Sequence, residues 1–291
     1  MRGVGAATGA ITIVNALFTG TGCAAAVSLP VRAELEAKPS ALGSAGSVWL
    51  QPACDTALAR ASLLEACRRL AGGRDLDLRL TVESTVPVSK GLKSSSAVSV
   101  AISRSVASAL HVATSAEAEA RASADVSRAI GLSATGAFDD AFAAAAGGIA
   151  VTDNRLGSVT VHAVPPADCS AVVWVPEGTH EPSPRWQERF RRRAGEARRA
   201  VEAATRGDWL TAMENNTELV EQTLGINHRP LRRELERLGA LSSGISGLGP
   251  ALASIVPHTK VREFVQGHPA GSAHLLVTDF TPPAGAGDRR P

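Results

Sequence analysis

Three short stretches of this chain carry residues whose types and spacing suit phosphate chemistry. The first, VPVSKGLKSSSAVSVAIS over residues 86–103, sets Lys90 and Lys93 on either side of Gly91 and follows them with the hydroxyls of Ser94, Ser95 and Ser96. A glycine turn at the start of a helix offers free backbone N–H groups and the positive end of the helix dipole to an anion. The lysines add charge, and the hydroxyls suit phosphate or Mg²⁺. Spacing alone also fits a plain helix capped by Ser94 beside solvated lysines. The convergence of two lysines and a glycine on one turn favours the anion site. It is not the standard P-loop, because Gly-Lys occurs nowhere in the chain.

The second stretch is TGAFDDAFA, with Asp139 and Asp140 inside an apolar run. Adjacent residues cannot share a helix face, so at least one carboxylate is expected to point inward. A buried carboxylate is costly unless a cation or hydrogen bonds meet it. Acids favoured by the dipole at a helix start explain one Asp more easily than two. The third stretch, SSGISGLGPALASIV, places Gly247 and Gly249 in a tight loop before an apolar segment expected to be a helix. A plain turn explains that loop equally well when it is taken alone.

Other patterns are weaker. GTGCAA fits the dinucleotide fingerprint, but VSLPVRAELEA after it reads as strand where that fingerprint needs a helix. The run RFRRRAGEARRA is interleaved with Glu188, Glu196 and Glu202, which is the pattern of a solvated helix face rather than a nucleic-acid site. The formal net charge of +2 and an aromatic content of 3% also argue against a nucleic-acid partner, and no segment has the apolar length of a membrane span. The apolar N-terminal segment is broken by Asn15, Gly20 and Gly22, and reads as a buried strand, Ala10 to Leu17, rather than a signal peptide. Four scattered cysteines without C-x-x-C spacing read as reduced thiols of a cytoplasm.

These residues need elements to hold them. Residues 55–73 read as an amphipathic helix with Asp55 as N-cap, and 76–88 as a strand with one wet face. Helices are expected over about 95–111 and 115–130, the latter with a Thr114/Glu117 capping box. Residues 131–151 read as loop, short helix and strand, and SVTVHAV and SAVVWVP as strands. Residues 183–207 read as one long basic helix, followed by helices over 208–225 and 229–239, a short helix after Pro250, another near 261–265, and the strand AHLLVTDF.

Taken in order, these stretches resemble the GHMP kinases, the superfamily of galactose, homoserine, mevalonate and phosphomevalonate kinases. That family's second motif runs P-x-x-x-G-L-G-S-S-A. Pro87, Gly91, Leu92, Ser94 and Ser95 match it, with Lys93 in place of the third-position glycine and Ser96 in place of the alanine. The GLKSSSA variant is similar to the archaeal-type shikimate kinases, as are GAITIVNALFTGTG, TGAFDDA and RGDWLTAMENN…TLG. SGLGPA resembles the third GHMP motif, and the similarity spans Gly9 to about Asp279.

The resemblance implies a two-domain α+β fold. Residues 1–170 would form a mixed βαβ-type domain with the phosphate loop and catalytic aspartate. Residues 171–280 would be ferredoxin-like, and 281–291 a disordered tail. ATP would lie over Pro87, Val88, Ser89, Lys90, Gly91, Leu92, Lys93, Ser94, Ser95, Ser96 and Ala97, with Gly247 and Gly249 closing over it. Ser95 would hold Mg²⁺, with Asp125 as the nearest acid for a second ligand. Asp139 falls on the catalytic aspartate, and Lys93 is a candidate for the charge of a first-motif lysine that this chain replaces by Thr21. The implied reaction is ATP-dependent phosphorylation of shikimate to shikimate 3-phosphate, in the chorismate route to aromatic amino acids. A homoserine kinase, and a non-catalytic metabolite-binding relative, are the alternatives.

Overall fold

The computed structural model describes residues 1–41, 45–178, 184–268 and 273–285. Two antiparallel-rich sheets organise it. The first grows from a long hairpin, β1 (Arg2–Val14) and β2 (Thr21–Pro39). The segment expected as a strand from Ala10 to Leu17 is thus the end of a longer one that stops at Val14. β2 has 19 residues and carries a different partner on each half of its other edge. Its end pairs with β4 (Leu76–Ser84), which pairs in turn with β3 (Val48–Leu50). Its start pairs with β5 (Ile149–Asp153), which pairs with β6 (Ser158–Ala163). The alternation of VSLPVRAELEA is the signature of this strand, so the dinucleotide pattern before it lacks its helix.

Helices cover one face of that sheet: α1 (Ala57–Leu70), α2 (Ser94–Leu110), α3 (Ala116–Ala129) and α4 (Phe138–Ala146). α2 is built from Ser, Ala, Val and Ile and lies directly on β1. A methyl at Gly3 or Gly5 would collide with the backbone of Ser105 or Ala101. The cap of α1 is Thr56, whose hydroxyl accepts from Ala59 N–H at 3.1 Å. Asp55 is instead engaged by Arg60. Likewise α3 is capped by Ser115, which accepts from Ala118 N–H, and not by Thr114.

The second sheet contains β7 (Cys169–Pro176), β8 (Ser242–Ile245), β9 (Leu252–Pro257) and β10 (Ala273–Asp279) in the order β10-β7-β9-β8. Fourth-first-third-second is the ferredoxin-like order. Four helices join its first two strands: α5 (Pro184–Arg192), α6 (Ala194–Thr205), α7 (Trp209–Leu224) and α8 (Arg229–Arg237); α9 (Val261–Gly267) precedes β10. The basic helix expected over 183–207 is therefore two helices, broken at Arg193. The Arg193 guanidinium is tied to Glu196, Gln222 and Thr223. The residues after Pro250 form a strand rather than a helix, because β9 fills the slot between β7 and β8.

One hydrophobic cluster runs from β1 and β2 through α2 into α6, β7 and β9, so the two sheets share a core. The C-terminal segment also returns to the first sheet. Thr281 N–H donates to Ala26 O, Gly148 N–H donates to Thr281 O, and Phe280 bridges Val27. Residues 281–285 of the expected tail are thus hydrogen-bonded structure, and 286–291 lie outside the described residues. No helix among the described residues is long and apolar enough to cross a membrane.

Candidate active site

The turn between β4 and α2 is an irregular loop. Ser89, Gly91 and Lys93 all have positive φ, at 58°, 80° and 66°. Left-handed residues alternating with ordinary ones are the backbone geometry that turns successive N–H groups to one side. The first helical bond of α2 runs from Ala97 N–H to Lys93 O at 3.1 Å, so the N–H groups of Ser94, Ser95 and Ser96 have no partner within the helix. Ser94 and Ser95 are half-buried there, and Ser96 is buried. Lys93, not Ser94, occupies the N-cap position, and its side chain makes no cap bond.

The loop between β8 and β9 locks onto this turn. A methyl on Gly91 would collide with the carbonyl of Ser246. Ser246 Oγ donates to Gly91 O at 2.7 Å, and Ala251 N–H donates to Lys90 O at 3.3 Å. β1 clamps the same loop: Gly247 N–H donates to Thr12 Oγ1 at 2.8 Å, and Asn15 Nδ2 donates to Gly247 O at 2.9 Å. Asn15 N–H is itself received by Asn216 Oδ1 of α7 at 2.8 Å. Gly247 and Gly249, with φ of 63° and 82°, supply the left-handed turns that this close approach needs. The first and third stretches therefore form one body, although some 155 residues separate them.

Below them sit the two aspartates at the start of α4, whose N-cap Ala137 also has positive φ, 53°. Asp139 is buried at 5% exposure. Its Oδ1 accepts from Asn154 Nδ2 at 2.7 Å, and its own N–H donates to Asn154 Oδ1 at 3.0 Å. Its Oδ2 lies against Gly22 of β2, where any side chain would displace it. Asp140 points the other way and pairs with Lys93 Nζ at 3.0 Å, both side chains being at most 14% exposed. Burial, and then the neighbouring Asp139, push the Asp140 carboxyl up to about 7, while Lys93 acts in the opposite direction. Cys23 also lies in this apolar floor; burial and then the charge of Asp139 hold its thiol well above its ordinary range.

The residues expected from the sequence thus divide. Lys93, Gly91, Gly247 and Gly249 lie against one another, Asp140 joins them through Lys93, Asp139 adjoins as its chain neighbour, and Ser94 and Ser95 follow Lys93 at the start of α2. Leu92 and Ala97 are fully buried, so only their backbones face the site. Lys90 is turned away: its ammonium is held by the carbonyls of Pro176 and Gly178 at the end of β7. Val88 is 71% exposed. Asp125 is not brought to the loop as a metal ligand. Its two carboxylate oxygens are taken by Arg69 and Arg128, both at 2.6 Å. Asn154, Gly22, Thr12, Asn15 and Ser246 were not singled out from the sequence as site residues. Gly22 stood in plain view inside GTGCAA, where the pattern suggested a different ligand.

Residues 56–148 match the GHMP kinases N terminal domain family. A shikimate kinase of Halobacterium salinarum is 32% identical over 90% of this chain and 91% of its own length. One from Thermococcus kodakarensis is 32% identical over 86% of this chain and 90% of its own. Among solved structures, the mevalonate kinase of Methanococcus jannaschii superposes with a TM-score of 0.75 at 12% identity, covering 96% of this chain and 98% of that one. That last likeness speaks for the fold, and the closer relatives speak for the branch. The chain belongs to the GHMP kinases, in the branch formed by the archaeal shikimate kinases.

Proposed function

We propose that this chain transfers the terminal phosphoryl group of ATP to a hydroxyl of shikimate, giving shikimate 3-phosphate. The observation that carries the reading is the joined pair of glycine loops, with Lys93 against them and, beneath, the buried Asp139 and the half-buried Asp140. Phosphoryl transfer asks for positioning and charge neutralisation rather than covalent catalysis. The N–H groups of Ser94, Ser95 and Ser96 and the Lys93 ammonium face the developing phosphoryl charge. Asp139, held by Asn154, accepts the acceptor's hydroxyl proton in a hydrogen bond and aligns its oxygen. Asp140 holds the Lys93 ammonium in place until a phosphate arrives to share it. The acceptor itself is read from the relatives' names.

The donor set also suits Mg²⁺. That ion needs one or two protein oxygens beside phosphate and water. The half-buried Ser95 hydroxyl at the start of α2 would hold the ion together with phosphate oxygens. When bound, it supplies further charge neutralisation to the phosphates. A coupled assay of ATP consumption with shikimate, homoserine and mevalonate tests the reading. Turnover of shikimate is expected, and turnover of homoserine alone overturns it.

A further inference from the structure

We propose that Arg155 and Arg191 form a two-sided clamp for the carboxylate of the acceptor. The inference rests on the kinase reading above and adds the subsite that selects the substrate. A cavity of about 520 Å³ opens between the turn after β1, the turn after β5 and helix α5. That is the size of a small-ligand site. Its wall includes Arg128, Arg155, Arg191, Gln187, Thr135 and Asn154, and no acidic side chain lines it.

The charge in this cavity is unbalanced. Arg128 is shared with Asp125 at 2.6 Å. Among the described residues, no carboxylate pairs with Arg155 or with Arg191; the Arg191 Nε donates only to the Gln187 carbonyl, at 3.3 Å. Two exposed guanidinium groups facing one concave space are a site for a planar anion, which each can grip through two parallel N–H bonds. Phosphate oxygens already have the loop from Ser89 to Ser96, so a carboxylate is the anion left to place.

Position supports the assignment. The Arg155 side chain lies along the face of Gly20, where a Cβ would run into it. Arg191 follows Phe190, which is fully buried and packs on Phe18 with ring centroids 4.5 Å apart. That contact seats α5 against the turn after β1. It aims Gln187 and Arg191, one turn apart, at the same space. Asn154 is both part of the cavity wall and the donor that holds Asp139. Asn154 therefore joins the cavity that holds the two arginines to the hydroxyl-orienting carboxylate.

The test compares shikimate with its neutral analogue in which the carboxylate is reduced to a hydroxymethyl group, at saturating ATP. The wild type should favour shikimate. Arg155→Ala and Arg191→Ala should each raise the shikimate KM about 10- to 100-fold, the loss of a charge-assisted hydrogen-bond pair. KM for ATP and kcat/KM for the neutral analogue should stay within about twofold, so discrimination collapses. Both side chains are exposed, and an unchanged Tm separates lost binding from lost folding. Isothermal titration with shikimate repeats the comparison without turnover. Equal losses on both substrates, or a shift in the ATP KM instead, overturn the clamp. If the wild type uses homoserine or mevalonate, the shikimate reading falls alone. Those acceptors also bear a carboxylate, and the same variants must then raise their KM. A wild type that accepts only neutral polyols overturns both.

Discussion

Asp139 and Asp140 are neighbours in the chain but serve different partners. Asp139 faces Gly22 on β2 and Asn154 in the turn after β5, and Asp140 faces Lys93 in the turn before α2. Asp139→Asn should lower kcat by about 10²- to 10⁴-fold, with the ATP Kd from titration within twofold of wild type. The same loss from Asp140→Asn, with Asp139→Asn nearly silent, would exchange their roles. Asp140 also has a signature in stability. Folded, it keeps its proton up to about pH 7. Unfolded, it ionises near the ordinary value of about 4. The folded state therefore binds more protons between those limits. The contribution of this group to stability falls as pH rises through that window and is level above it. The Tm of Asp140→Asn relative to wild type should rise between pH 5 and pH 8, as a series of thermal melts would show. An unchanged difference would mean that Lys93 keeps Asp140 ionised throughout.

Elements carried the site unevenly into the sequence. α2 was readable because its run of Ala, Val and Ile follows a glycine turn, and β2 because it alternates. β9 was not. LASIV is a short apolar run that periodicity cannot assign to strand or helix, and the glycine loop before it imitates a helix start. The slot between β7 and β8 decides it. The break at Arg193 has no glycine or proline to announce it and follows from the partners its guanidinium finds on α7. The paired aspartates could be picked out as a site, but which carboxylate meets which partner depended on β2 and Asn154. Gly22 shows why. Its role is to lack a side chain beside a residue more than a hundred positions away, and local pattern holds no trace of that. Gly22→Ala should push the Asp139 carboxylate off Asn154. A loss of about 10²-fold in kcat is expected, with ATP affinity kept. Full activity would show that the carboxylate has another resting place.

At the scale of the whole molecule, the two sheets are joined by more than a linker. The cluster that starts at β1 continues into α6, β7 and β9. The segment after β10 crosses back to pair with Ala26 and Gly148. Truncation after Asp279 removes Phe280, only 8% exposed, together with those hydrogen bonds. It should cost about 3–5 kcal/mol in urea unfolding, the usual cost of deleting a buried Phe. A loss below about 1 kcal/mol would show that this segment rests on the sheet without supporting it. The resemblance to the GHMP kinases implied a second, ferredoxin-like unit. It did not indicate that residues 280–285 strap the first, since TPPAGAG has the composition of a tail.

The seam between Gly91 and Ser246 sets an order of events at the ribosome. The loop around Gly91 is synthesised early, but the groups that hold its shape, Ser246 and Gly247, emerge some 150 residues later. Until then the nascent loop lacks its brace, and a long-range contact of this kind forms late. Residues 1–166, cut before β7 (Cys169–Pro176), should keep much of their helix content by circular dichroism when expressed alone yet fail to bind ATP. Adding residues 167–291 in trans should restore binding. Newly made chains would in this way stay blind to ATP until the last loop is in place.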